Sequence, residues 1–397
     1  MTLNLMKNKI TILSFLLMYA LVSGQDWNGI PIPTNPPIDM EWELQASSDD
    51  FNYTSSASPK SSEFLEKWDD YYHNAWSGPG LTIWSRTKSL VENSTLQIPA
   101  TRLNTANIST GCITSRETII YPAYVEVYAK VMNSTLASDV WLLSPDDTQE
   151  IDILEAYGDV NPTRDPINVW FGERIHLSHH VFIRQPFADW QPTTPDTWYY
   201  DSTIWKDGYH RFGVYWRDPL HLEYYIDGVL VKTTSGIEQI DPLHHTNTVN
   251  PGDTSNDTRT GLNKAMDIII NVEDQTWRSN QGLTPTNTEL ANTDDHTFKV
   301  DWIRVYKAVN PLSVEDENAE SIRMFPNPVL NSLQIESNSR IKNVSIYNLN
   351  GVLIKIESLT ETTNTIDLSE LANGLYILKF QKDDRISFYK KIIKKAN

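Results

Sequence analysis

From Trp42 to about Lys307 the chain is a succession of short β-like runs with few helical patterns between them. Tyr124-Val-Glu-Val-Tyr-Ala-Lys-Val131, His210 to Trp216, Leu222 to Ile226 and Phe298 to Tyr306 are rich in β-branched and aromatic residues. Such residues fit a pleated, half-buried surface. Asp227-Gly228 stands between Tyr-Ile and Val-Leu-Val, a strong hairpin signal. Many short strands punctuated by turns fold as two packed sheets. The expected class is all-β, a β-jelly-roll sandwich. Ser61 to Tyr72 reads as a short helix.

Within this series Glu150-Ile151-Asp152-Ile153-Leu154-Glu155 places three carboxylates among β-branched residues and leucine. Strand side chains alternate faces, so Glu150 and Asp152 share one. Strict alternation would put Leu154 there and turn Glu155 away. A one-residue bulge at Ile153-Leu154 returns Glu155 to the face of Glu150, and bulges are common beside active sites. Two glutamates leaning together reach the roughly 5–5.5 Å that a retaining glycosidase requires. A solvated acidic face and a metal site are the competing readings. Trp141 upstream and Tyr157 downstream favour a sugar site, since an acidic row beside apolar strands is costly unless wet or functional.

Trp141-Leu-Leu-Ser-Pro-Asp-Asp-Thr-Gln-Glu150-Ile-Asp152-Ile-Leu-Glu155-Ala-Tyr-Gly resembles the bulged catalytic strand of glycoside hydrolase family 16. It is most similar to the β-agarases of that family. The resemblance extends to Asn74-Ala-Trp76-Ser-Gly-Pro-Gly-Leu-Thr82, Ile175-His-Leu-Ser-His-His180-Val-Phe-Ile-Arg184 and Asn271-Val-Glu273-Asp-Gln-Thr-Trp277-Arg278, over residues 26 to 308. It implies a jelly-roll enzyme working by double displacement with retention. Glu150 would be the nucleophile, Glu155 the acid/base and Asp152 the residue that tunes their protonation. Asn74, Trp76, Trp141, His180, Arg184 and Glu273 would bind substrate. Asp301 would be a ligand of a structural calcium away from the cleft; no catalytic cofactor is expected. His176, His179 and His180 lack the partner spacing of a zinc site.

The implied activity is endo-hydrolysis of β-1,4 links in agarose or a related red-algal galactan. A β-porphyranase, which accepts a sulfated sugar, is the nearest alternative. A non-catalytic galactan lectin is another, though a lectin has no use for a paired acid and nucleophile. Laminarinase and carrageenase readings fit the flanking motifs less well. Lys+Arg is 33 against Asp+Glu 51, a net charge of −18, which argues against nucleic acid as a partner and weakly favours a neutral polysaccharide.

Residues 1–24 carry Lys7, Lys9, an apolar run from Ile10 to Val22 and small Ser23-Gly24, the pattern of a signal peptide. The lone Cys112 forms no internal disulfide and is expected in the core. Asp26 to Met40 reads as an extended lead-in, and the polar stretch from His244 to Asn263 as a surface loop. Residues 309–321 are an acidic linker. Residues 322–397 form a second strand series beginning Met324-Phe-Pro-Asn-Pro and ending in lysines. This small C-terminal β-sandwich module resembles a type IX secretion sorting domain. The resemblance implies a partner in the outer-membrane secretion machinery and a secreted or cell-surface protein. The catalytic domain, 25–308, is expected to act as a monomer.

Overall fold

The computed structural model describes residues 25–161, 166–193, 197–242, 259–310, 323–337, 341–348, 351–359, 361–381 and 387–395. The segment 1–24, most of the polar 244–263 stretch and the 311–321 stretch lie outside them. The chain forms two compact units that divide between Ala308 and Val309.

The first unit is built on two large antiparallel sheets. The backing sheet has eight strands, with Ala123–Lys130 at its centre between His210–Asp218 and the long Thr297–Val309 strand. The cleft sheet has nine, with Gln149–Ala156, Ala137–Leu143 and Asp267–Glu273 side by side. Val125, Val127, Phe212, Val214 and Ile303 of the backing sheet share one buried cluster with Val140, Leu142, Ile151, Ile153, Ile268 and Ile270 of the cleft sheet. Alternation decides this. In Asp267–Glu273 the even-numbered Ile268, Ile270 and Val272 enter that core. Ile269 instead packs with Tyr72, Trp84, Cys112 and Leu143 on the other face. Burying one such isoleucine is worth about 1.5–3 kcal/mol, so truncating Ile268 to alanine would cost about 2–5 kcal/mol.

The helix near Ser61 is shorter than the sequence pattern suggests. It spans Ser62–Lys67, capped by the Ser61 hydroxyl, and gives way to a strand at Trp68–Asp69. Trp68 is buried and donates its indole N–H to Asp49 at 2.8 Å, so its burial in the sandwich outweighs helical continuation. Cys112 is buried. The lead-in is held on the backing sheet: Arg304 donates to the carbonyls of Ile30 (2.7 Å) and Pro31 (3.1 Å), and Trp42 meets Tyr215 edge-on.

The second unit has a three-stranded and a four-stranded sheet around Leu333, Ile335, Val344, Ile346, Leu378, Phe380 and Ile392. Val344-Ser-Ile-Tyr-Asn-Leu-Asn-Gly351 reads as a strand running into an Asn-Gly turn; the strand is present at Asn343–Asn348, whereas Leu349 and Asn350 lie outside the described residues.

Candidate active site

The acidic strand contains the irregularity that its sequence needs. Asp139 faces Glu155 and Val140 faces Leu154, but Trp141 faces Asp152, so Ile153 is the extra residue. Ile151, Ile153 and Leu154 are in the core. Glu150, Asp152 and Glu155 all line a cleft of about 860 Å³. One bulge thus reconciles three acids on one face with an apolar opposite face.

The neighbours of the two glutamates differ. His180 is the cross-strand partner of Glu150, and His176 that of Glu155. Nε2 of His180 lies 3.9 Å from Glu150 and 3.7 Å from Asp152, while its Nδ1 meets Asp189 at 2.8 Å. Burial alone would lower the pKa of His180, but Glu150, Asp189 and Asp152 outweigh it and raise it to about 10. Glu155 is gripped instead: Tyr157 donates its hydroxyl to Oε1, and His176 Nδ1 bonds Oε2.

Burial, then the Asp152 charge, raises Glu150 well above the usual carboxylate range. Burial raises Asp152 too, partly offset by His180. Burial also acts upward on Glu155, yet His176 and Tyr157 outweigh it and leave its pKa below the ordinary value. The like charges do push carboxyls up, as expected for crowded acids, but in the free protein the group held low is Glu155. Its two hydrogen-bond donors are the physical reason. Farther along, burial and the charge of Glu155 raise Glu273 to about 8. Asp139 is pushed up by burial, Glu273 and Glu155; one of its oxygens accepts from Asn271 at 3.2 Å and the other is buried without a hydrogen bond.

Every residue that the sequence suggested for substrate binding lines this cleft: Asn74, Trp76, Trp141, His180, Arg184 and Glu273. Trp76 is 48% exposed, and Trp141 is held by its indole N–H on Asn271 Oδ1 at 2.6 Å. Asn74 donates to Asp147 at 2.5 Å, and the ring of His73 bridges Asp147 and Asp267 at 2.8 and 2.7 Å. Glu273 accepts from Asn271 and Gln275. Arg184 lies over the Phe182 ring at 4.9 Å, at the exposed end of its strand. His179 is not in the cleft: it is buried, bonds the Ile240 carbonyl at 3.1 Å, and is pushed down to about 3 by burial.

Sequence reasoning assigned no role to Asp139, Asn271, Asp189 or Trp198, and read neither Tyr157 nor His176 as a partner of Glu155. Alternation offered a signal for some of them. Asp139 stands two residues before Trp141 and Tyr157 two after Glu155, on the same faces. His176 and Asp189 needed the cross-strand register.

Asp301 is half-buried in the backing sheet, where burial and the charges of Asp26 and Asp50 raise its pKa. Three acids sharing one field are the hard oxygen chemistry that calcium takes. Among the described residues, however, Asp301 belongs to no group of three side chains whose donor atoms converge.

The family model described as "Beta-porphyranase A-D, GH16 domain" matches residues 42–308, and that of the "Secretion system C-terminal sorting domain" matches 323–395. "Beta-agarase B" of Zobellia galactanivorans is 59% identical over 298 residues, covering 73% of this chain and 84% of that protein. "Beta-agarase" of Phocaeicola plebeius is 50% identical over 301 residues, covering 72% and 90%. The structure of an inactivated mutant of beta-agarase B in complex with agaro-octaose matches with a TM-score of 0.68 and 57% identity, over 72% of this chain and all of that one.

Proposed function

The chain belongs to glycoside hydrolase family 16, and on that footing we propose that it is an endo-acting β-agarase that hydrolyses β-1,4 links in agarose with retention of configuration. The observation that carries the reading is the pair Glu150 and Glu155, brought to one face by the Ile153 bulge and given different neighbours.

Glu150 attacks the anomeric carbon and forms a glycosyl-enzyme, while Glu155 protonates the departing oxygen. Glu155 then takes a proton from water, which attacks the same carbon from the opposite side. Two inversions give retention. This order needs Glu150 ionised and Glu155 protonated, whereas burial and Asp152 raise Glu150 while His176 and Tyr157 lower Glu155. The raised carboxyls of Glu150, Asp152, Asp139 and Glu273 keep protons inside the cluster. Positive charge developing on the sugar beside Glu150 favours its carboxylate. The protons belong to the coupled group rather than to single residues.

Trp76 and Trp141 supply stacking faces for sugar rings, and Arg184 offers a fork of donors for hydroxyls. The carboxylate-lined floor supports a neutral sugar at the cut. A sulfate at the Glu150–Asp152–Glu155 floor would lose its hydration and meet carboxylates that already engage His180, at a cost of several kcal/mol. The agarase relatives support agarose over the porphyran alternative. We read the catalytic domain as acting as a monomer.

The sorting-domain match makes this a secreted protein. We read residues 1–24 as the export signal, 309–321 as a linker and 322–397 as the sorting module. The division after Ala308 supports those bounds.

Azide rescue tests the mechanism. With azide, Glu155→Ala should regain activity on agaro-oligosaccharides and yield a β-glycosyl azide, and Glu150→Ala should yield the α product. The same stereochemistry from both would sink the assignment. Wild-type protein that releases no reducing ends from agarose would sink the substrate.

A further inference from the structure

Beyond Glu155 the cleft face continues into a ribbon that the hydrolytic mechanism does not use. Arg174–His176 pairs with Trp198–Tyr200, setting His176 opposite Trp198 and Arg174 opposite Tyr200. His176 is also the partner of Glu155. Its ring stacks on Trp198 with centroids 4.4 Å apart. Two residues farther, roughly 7 Å along the strand and on the same face, the Arg174 guanidinium lies 4.2 Å from the Trp170 ring and 4.2 Å from the Tyr200 ring. Trp170 is 38% and Tyr200 48% exposed. Trp170 in turn meets Trp198 at 5.3 Å, so the clasp is continuous with the cleft wall.

Little competes for this guanidinium. Among the described residues its one side-chain hydrogen bond runs from Nη1 to the Trp170 carbonyl at 2.9 Å, and no carboxylate pairs with it. In a chain with 51 acidic residues against 33 basic ones, a stacked guanidinium without an acid keeps most of its five donors for something else. A planar fork held between two aromatic faces suits an anion with paired oxygens. In a retaining site the polysaccharide passes between nucleophile and acid/base. A group beyond Glu155 on the strand axis therefore meets what projects from the flank of the chain, away from the cut.

We propose that Arg174, clasped between Trp170 and Tyr200, is a flanking site that takes a sulfate ester projecting from the galactan on the Glu155 side. The carboxylate floor demands a neutral sugar at the cut, and the clasp admits a sulfated one beside it. The inference rests on the reading of the cleft as a galactan site.

The test compares kcat/KM on neutral agaro-oligosaccharides with that on oligosaccharides of equal length carrying sulfate esters off the cleaved unit. Arg174→Met keeps much of the stacking stem and loses the charge. The sulfated-to-neutral ratio should fall about tenfold, the scale of one charge-assisted contact. Arg174→Lys, which keeps the charge without the fork, should give an intermediate ratio and serves if the methionine variant does not fold. A ratio unchanged within about twofold in a folded variant overturns the proposal, and so does a parallel fall on both substrates, which would make Arg174 a packing residue. Wild-type protein inactive on the neutral series would instead overturn the agarase reading.

Discussion

The two sheets of the sandwich treat buried charge in opposite ways. In the backing sheet Glu126 is fully buried against Arg304, whose Nε donates at 2.7 Å, and the Tyr124 hydroxyl adds a bond at 2.9 Å. Charge and hydrogen-bonding capacity are matched there, and the same arginine holds the lead-in. In the cleft sheet Asp139, Glu150, Asp152, Glu155 and Glu273 gather with two histidines and no lysine or arginine among their bonded partners. Breaking a matched pair strands one buried charge, whereas neutralising a member of an unmatched crowd relieves repulsion. A site that must move protons needs the second arrangement, because fully paired carboxylates hold a fixed state.

The sharpest break of this comparison is Glu150→Gln. Turnover on agarose should drop by about ten-thousandfold or more, while the fold persists. The sign of the stability change follows from the raised pKa. Below its unfolded value of 4.5 the Glu150 carboxyl contributes fully to stability, and that contribution is lost as pH rises through the higher folded value. The glutamine variant escapes that loss, so its Tm should equal or exceed the wild-type value, with the gain growing toward alkaline pH. A folded variant with wild-type turnover, or a Tm gain confined to acid, would refute the contrast.

Arg304→Met probes the other sheet. It leaves buried Glu126 with only the more distant Arg211, 3.9 Å away, at a cost of up to about 3–5 kcal/mol, or a Tm loss on the order of 10 °C. At low temperature, kcat/KM of the folded protein should stay within about twofold of wild type. A Tm unchanged within a degree would show that the matched pair carries no structural weight.

The smallest effect concerns Asp301 of the backing sheet, whose carboxyl is raised by burial and the charges of Asp26 and Asp50. We propose a structural calcium there, with Asp301 as one of its ligands. Adding calcium to chelator-treated protein should raise Tm by a few degrees through binding to the folded form, and Asp301→Asn should abolish the rise. An equal rise in the variant would remove Asp301 as a ligand.

Much of the site was legible in the chain because strand periodicity is short-ranged. Glu150, Asp152 and a bulge returning Glu155 follow from residues adjacent in sequence. Trp76, Trp141, His180, Arg184 and Glu273 came from separated motifs, and the cleft contains all of them. Asp139 and Asn271 went unread because their meaning depends on which strands are neighbours: Asp139 faces Glu155 on one side and Asn271 on the other. The helix ended early for a similar reason, since the Trp68 indole finds Asp49, nineteen positions away.

The sequence alone determined the all-β class, the acidic strand with its bulge, and the change of character near residue 309. Each is written in local alternation and composition, which do not depend on distant partners. Only the tertiary structure decided which glutamate is held low. That outcome rests on His176 and Tyr157 donating to Glu155 while His180 stands farther from Glu150. It likewise decided that Arg304 is paired and Arg174 is stacked between two rings. Side-chain charge is a property of the residue. Its compensation depends on distance through space, which cross-strand register and sheet packing set.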